Sequence, residues 1–156
     1  LFSVVRYGNV VGSRGSVVPF FTDLIKKGKP LPITHTAMSR FLLTLRQAID
    51  LVFYATQNMS GGEIFVPKNP ACRVLDLVES LGGKGYPTED VGIRPGEKIA
   101  ETLISEEETR RVEERETCFV IHQHGRYKSA KEMGEFTSDT TRQLGVSEIR
   151  QLLKEA

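Results

Sequence analysis

Three arginines stand where the backbone turns: Arg14, Arg40 and Arg94. A guanidinium is a planar, permanently charged fork that grips phosphate or carboxylate oxygens in pairs. Arg14 lies in Gly12-Ser13-Arg14-Gly15-Ser16, after the apolar residues Val4, Val5, Val10 and Val11 and before Val17-Val18-Pro19-Phe20-Phe21. An apolar strand that empties into a Gly/Ser/Arg loop and then opens a helix suits an anion. Glycines let the backbone come close, and a helix N-terminus offers unpaired N–H groups. Arg94 opens Arg94-Pro95-Gly96-Glu97-Lys98, where proline fixes the backbone and glycine frees it. Two arrangements fit these residues: convergence on one anion, or separate ion pairs with surface carboxylates.

Other constellations carry less. Cys118, His122 and His124 share one face if their strand keeps its pleat. A structural zinc takes four ligands and a catalytic one at least three, and no further Cys or His lies at motif spacing. A strand face, with no metal, is the expectation. Tyr127 and Lys131 are four apart, the spacing at which a lysine on the same helix face lowers a tyrosine pKa. Their segment is polar and has no apolar stripe, so the spacing reads as coincidence. No G-x-G-x-x-G follows a strand, and Gly82-Gly83-Lys84-Gly85 reads as a helix stop.

The elements that must position these residues alternate between strand and helix, which predicts an α/β or α+β fold. Phe2 to Tyr7 reads as a buried strand through Phe2, Val4 and Val5. A helix follows with Ser16 as N-cap, Val17, Phe20, Phe21, Leu24 and Ile25 on one face, and Gly28 as its stop. Pro30 to Thr34 reads as a short edge strand, because its prolines exclude a central one. The clearest helix starts at Thr44 with a Thr44/Gln47 capping box, and Leu45, Ala48, Ile49, Val52 and Phe53 repeat at helical spacing up to Gly61-Gly62. Strands are expected at Glu63 to Val66, Val91 to Arg94 and Phe119 to Ile121. A helix carries Val74, Leu77, Val78 and Leu81. Ser105 to Glu116 reads as a charged surface helix with a Ser105/Glu108 capping box and Glu106–Arg110 and Glu107–Arg111 pairs. Tyr127 to Asp139 is expected to be a surface excursion, before a last helix from Ser147 through Ile149, Leu152 and Leu153.

The 156 residues suffice for a real core. Lys+Arg number 21 against 20 Asp+Glu, so no basic field argues for nucleic acid and no polybasic stretch for a membrane surface. Apolar runs are broken by Arg40, Arg46 and Asp50, too short to span a bilayer. Two unpatterned cysteines, Cys72 and Cys118, fit a reducing cytoplasm without a disulfide framework. A soluble, cytoplasmic, globular protein is the expectation.

Four blocks in register go further: Arg6 to Phe21 (RYGNVVGSRGSVVPFF), Leu31 to Phe41 (LPIT, then MSRF), Gly61 to Lys68 (GGEIFVPK) and Gly92 to Lys98 (GIRPGEK). Together they resemble the C-terminal half of the UDP-N-acetylglucosamine 4,6-dehydratases of the configuration-inverting type. These are extended short-chain dehydrogenase/reductase enzymes of surface-polysaccharide biosynthesis. The tail TSDTTRQLGVSEIRQLL is similar to that family's closing segment. The resemblance implies the C-terminal part of an NAD(P)-binding Rossmann-type fold: last sheet strands plus a small α+β substrate domain. Residues 1–15 would end the dinucleotide-binding domain, 16–125 would bind the nucleotide-sugar, and 126–156 would form an excursion and helix.

The same resemblance implies residue roles. Asn9 would contact the nucleotide-sugar, Thr34 would lie against uridine, Arg40 and Arg94 would clamp the diphosphate, and Glu97 would sit near the ribose. Val10, Val11, Gly12, Ser13 and Arg14 would line the cofactor side. The cofactor would be NADP or NAD, the partner a UDP-sugar, and the enzyme a homo-oligomer. Catalytic residues would lie upstream of Arg6, leaving the chain alone inactive. The implied reaction is internal redox, with hydride leaving sugar C4, water eliminated across C5 and C6, and hydride returning to C6 with inversion at C5. A 4-epimerase, a retaining dehydratase and a non-catalytic UDP-sugar-binding module are the rival readings. The chain departs from the family pattern at His35, Ser39, Leu42 and Ala100.

Overall fold

The computed structural model describes residues 1–125 and 133–156. The core strands are β5 (Ile64–Pro67) and β10 (Cys118–Ile121), which pair antiparallel with Phe65 opposite Val120 and Val66 opposite Phe119. Strand side chains alternate between faces, and here both faces are covered. Val66, Phe119 and Ile121 pack with Phe41, Ile104 and Val112 on one side. Phe65, Cys118 and Val120 pack on the other, beneath Leu51 and Ala55 of α2 (Leu45–Asn58). The sheet is completed by β1 (Val4–Val5), parallel to β5, and β9 (Val112–Glu114), antiparallel to β10, in the order β1-β5-β10-β9.

The first strand is shorter and more exposed than its sequence suggests. Only Val4 and Val5 pair, while Phe2 and Val4 are 92% and 55% exposed. After Val5 the chain leaves that sheet, and β2 (Asn9–Val10) runs parallel to β4 (Ser39–Leu43), with Asn9 beside Leu42. Gly8 permits the crossing: a Cβ there would lie 2.3 Å from Phe41 Cβ. β4 pairs antiparallel with β6 (Ala71–Arg73), placing Arg40 opposite Cys72.

Helix α2 begins with the expected capping box, since Gln47 N–H donates to Thr44 Oγ1 and Thr44 N–H donates to Gln47 Oε1. Of the expected apolar stripe only Ala48 is buried. Leu45, Ile49, Val52 and Phe53 face outward, and Leu51 and Ala55 take the core. Two apolar faces on one helix defeat a single-stripe reading.

Helices α1 (Val17–Lys26) and α3 (Val74–Gly82) pack over β3 (Leu31–Ile33), joining Phe21 and Val78 to Leu31 and Ile33. β3 pairs in parallel with β7 (Thr88–Asp90). The strand expected over Val91 to Arg94 therefore sits earlier, and Gly92, with φ of 72°, takes the chain out of the extended region. The charged helix also shortens. α4 (Glu106–Thr109) ends before β9, because Val112 is needed in the core beside Ile121. Glu108 turns to Arg6, and Arg111 donates to the carbonyls of His122 and Gln123, so the anticipated i,i+4 ladder is replaced by tertiary bonds.

β11 (Phe136–Thr137) pairs antiparallel with β8 (Thr102–Ile104), and the Phe136 ring lies 5.0 Å from Phe41 and 5.2 Å from Phe119. The far end of the expected surface excursion is thus docked, with Ser138 fully buried. Tyr127 and Lys131 lie outside the described residues. Helix α5 (Val146–Glu155) closes the fold, its Ile149 buried with Leu77 and Leu144.

Candidate functional site

A cavity of about 270 Å³ opens where α1, β3, β4 and the turn after β7 meet. Asn9, Thr34, Arg40, Arg94 and Glu97 all line it, although they lie far apart in sequence. Gly15, Ser16, Val17 and Phe20 form the helix-side wall, and Pro32, Met38, Cys72 and Val91 add apolar surface. The mixture of apolar wall and a few charged groups suits a ligand with a flat organic part and an anionic part.

Arg40 is the better anchored cation. Its Nη1 donates to the carbonyls of Ser39 at 2.7 Å and Ile99 at 3.1 Å, and its Nε lies 3.8 Å from Glu101 Oε1. These contacts hold the guanidinium plane and leave Nη2 out. Arg94 is exposed on its Pro-Gly turn, where its backbone N–H donates to Glu97 Oε2 at 3.2 Å and Glu97 N–H donates to Arg94 O at 3.0 Å. Glu97 thus closes the turn that presents Arg94. Thr34 Oγ1 donates to Met38 Sδ at 3.2 Å, which folds the segment after β3 back along the cavity.

Arg14 does not join the other two arginines: it is exposed and outside the lining. The loop Gly12-Ser13-Arg14-Gly15 is exposed throughout, with Gly12 and Gly15 at φ of 76° and 73°, and only Val11 of this stretch is buried. Val10 is held by pairing to Leu43. Among the four departures, Ser39 is buried and its Oγ bonds Ser138 Oγ at 2.7 Å, away from the cavity. Leu42 lines the cavity, and His35 Nδ1 accepts the Ala37 N–H in the preceding turn.

The residues that sequence reasoning passed over are Ser16, Phe20, Met38, Cys72 and Val91. Phe20 carried a signal, since it sits on the helix face expected to be buried yet is half exposed at the cavity. Cys72 had none. Burial, reinforced by the Asp76 carboxylate, pushes its thiol up to about 12, so it is neutral cavity wall. Cys118 is fully buried under α2, and His122 Nε2 meets Glu113 Oε2 at 2.8 Å. Among the described residues, no helix is long and apolar enough to cross a membrane.

Residues 1–123 match the polysaccharide biosynthesis protein family. A Methanocaldococcus jannaschii protein named uncharacterized membrane protein MJ1061 is 42% identical over 164 residues, covering 99% of this chain and 49% of that protein. A Campylobacter jejuni UDP-N-acetylglucosamine 4,6-dehydratase (inverting) is 46% identical over 121 residues, 77% of this chain and 36% of that one. A Rickettsia canadensis UDP-glucose 4-epimerase is 37% identical over 164 residues, 96% of this chain and 48% of that one. The X-ray structure of Pen from Bacillus thuringiensis superposes with a TM-score of 0.85 at 35% identity, covering 99% of this chain and 49% of that one. The chain spans about half the length, or less, of these relatives. Its architecture is α/β, the C-terminal part of a Rossmann-type extended short-chain dehydrogenase/reductase fold. The chain belongs to the polysaccharide biosynthesis protein family.

Proposed function

We propose that this chain is the nucleotide-sugar-binding part of an NAD(P)-dependent UDP-N-acetylglucosamine 4,6-dehydratase that inverts C5. The observation that carries the proposal is the gathering of Asn9, Thr34, Arg40, Arg94 and Glu97 on one cavity. Two arginines on the wall of one cavity, of whose guanidiniums only that of Arg40 has a carboxylate nearby among the described residues, suit a dianion, and a diphosphate is such a group. Thr34, Pro32 and Val91 then face the uridine, Glu97 the ribose, and Asn9 the sugar. Within this reading, residues 1–15 close the dinucleotide-binding domain, 16–125 bind substrate, and 126–156 form the closing excursion and helix.

The loop from Val10 to Arg14 fits one side of a dinucleotide. Val10 and Val11 anchor it, Gly12 to Arg14 are exposed, its backbone turns through positive φ at Gly12, and Arg14 offers an uncrowded cation. When bound, the dinucleotide supplies hydride acceptance and return. This chain's residues bind and orient the UDP-sugar so that sugar C4 meets that face. The net reaction is redox-neutral loss of water. The bulk of the cofactor site and the proton-transfer groups belong, in this reading, to an upstream half. The outward face of α2 and the free edge of β1 suit that docking and the formation of homo-oligomers. The setting is the cytoplasm, where NAD(P) and UDP-sugars are at hand.

A second reading, UDP-glucose 4-epimerase, is favoured by the wider coverage of this chain by the Rickettsia proteins, 96% against 77%. Supplying protein that carries both halves with UDP-N-acetylglucosamine and, separately, with UDP-glucose in deuterium oxide separates them. A dehydratase gives a 4-keto-6-deoxy product with deuterium at C5, whereas an epimerase returns a hexose with an intact C6 hydroxyl. Absence of both products, with UDP still bound, would leave a non-catalytic binding module.

A further inference from the structure

The Arg40 guanidinium is held between two strips of backbone, and one buried hydroxyl far along the chain ties those strips together. Arg40 Nη1 donates to Ser39 O at 2.7 Å and to Ile99 O at 3.1 Å. Ser138 Oγ donates to the same Ser39 O at 3.1 Å and accepts the Glu101 N–H at 2.9 Å. The Ser138 N–H donates to Glu101 O at 2.8 Å, and the Ser39 N–H donates to Ile99 O at 2.9 Å. Ser39 Oγ lies 2.7 Å from Ser138 Oγ, across 99 positions of sequence. A carbonyl only accepts, so the Ser138 proton goes to Ser39 O and the Ser39 hydroxyl donates to Ser138 Oγ. Each proton then has an acceptor, and successive bonds polarise one another. Ser138 is fully buried and Ser39 is 1% exposed, so water does not replace a lost partner. Gln143 Nε2 fastens the serine in turn, donating to Ser138 O at 2.8 Å.

We propose that Ser138 is a positioning residue for Arg40, setting through Ser39 O and the Glu101 backbone the plane in which the guanidinium faces the cavity. This rests on the UDP-sugar reading, in which Arg40 binds the diphosphate, and adds a residue that reading does not include. Ser138 stands outside the cavity lining, so it acts through Arg40 and not on the ligand. A planar fork grips phosphate oxygens in pairs only when its orientation is fixed. Both fixed points of that orientation lead to Ser138. Its hydroxyl shares the Ser39 carbonyl with Arg40, and its two bonds to the Glu101 backbone place the Glu101 carboxylate 3.8 Å from Arg40 Nε. The segment that closes the fold thereby takes part in ligand binding without touching the ligand.

The test is a double-mutant cycle of Ser138→Ala with Arg40→Lys, because lysine is a point charge with no plane to orient. UDP is titrated by calorimetry and uridine by ligand-observed NMR, with circular dichroism melts to show that each variant is folded. Ser138→Ala is expected to weaken UDP by about tenfold in the wild-type background, on the scale of one charge-assisted hydrogen bond, and to leave uridine unchanged. In the Arg40→Lys background, itself weaker for UDP, the same change should alter UDP by less than about twofold. Should Ser138→Ala fail to fold, Ser138→Cys takes its place in the cycle. It keeps the volume with a weaker donor and acceptor, and the same dependence on background is expected. An equal UDP loss in both backgrounds makes Ser138 a structural residue only and overturns the proposal, as does an equal loss of uridine. UDP binding unchanged by Ser138→Ala but weakened by Arg40→Lys overturns the role of Ser138 and keeps the UDP reading. UDP binding unchanged by Arg40→Lys overturns the positioning role, since no oriented fork is then at work. A wild-type protein that ignores UDP overturns the UDP reading, and the Ser138 role with it.

Discussion

Arg6 holds both carboxylate oxygens of Glu108, Nη1 to Oε2 at 2.7 Å and Nη2 to Oε1 at 2.9 Å, across 102 positions of sequence. The same Nη1 donates to Leu103 O at 2.9 Å. The fork therefore ties the end of β1 to β8 and α4, and Glu108 in turn accepts the Ser105 N–H that starts α4. The Arg6 hydrogen bonds, partly opposed by burial, hold the Glu108 carboxyl below its ordinary range.

Removing one partner should therefore be felt as stability. Arg6→Ala is expected to lose about 1–2 kcal/mol in urea unfolding, the range of a charge-assisted bidentate pair that is still partly solvated. In a double-mutant cycle with Glu108→Ala the two losses should not add. Additive losses would mean the pair contributes nothing.

Glu63 contributes to the acid sensitivity. Burial alone would raise its carboxyl, but hydrogen bonds from Ser3 Oγ and from the N–H groups of Gly61 and Ser60 outweigh it and bring it from 4.5 to about 2. A lowered native pKa stabilises the fold above the unfolded value and ceases to do so as pH falls through the native one. The contribution, about 2 kcal/mol, should thus be complete above about pH 5 and fade toward pH 2. Glu63→Gln should be less stable at pH 7 and flatter in that acid window. An unaltered slope would contradict the assignment.

Gly8 links fold to site. A methyl group there would meet Phe41 Cβ at 2.3 Å and Phe41 O at 3.1 Å, so β2 must shift away from β4, and Asn9 with it. Gly8→Ala should destabilise by about 2 kcal/mol, as overpacked cores do, and should weaken UDP binding together with stability. Gly134→Ala is the control at an open position outside the cavity, since nothing lies within 4 Å of its would-be Cβ.

Both thiols should be inert in the native state. Cys72 is raised to about 12 and Cys118 is also raised, in each case chiefly by burial. Iodoacetamide at pH 8 should label neither until denaturant is added, and rapid native labelling of Cys72 would show the cavity wall to be open.

How much was legible follows from which forces act locally. The Thr44/Gln47 capping box and the glycine stops are decided within a few residues and were readable. β4 was not, because Ser39–Leu43 is strand only through the pairing of Ser39-Arg40-Phe41 with Ala71–Arg73 and of Leu42-Leu43 with Asn9–Val10, both distant in sequence. The outward face of α2 is not legible, because apolar residues occupy both of its sides. In the site, motif resemblance named Asn9, Thr34, Arg40, Arg94 and Glu97. It could not show that Arg40 spends donors on the Ser39 and Ile99 carbonyls or that Ser16 keeps an unpaired hydroxyl, since both depend on tertiary placement.

The central claim, that Arg40 and Arg94 face one diphosphate, is tested most directly by titrating UDP into the wild-type chain and into Arg94→Ala. The account expects saturable one-to-one heat with the wild type and at least a tenfold weaker constant with Arg94→Ala, as one lost guanidinium–phosphate contact implies. Equal affinity in the two proteins, or no heat with the wild type, would contradict it.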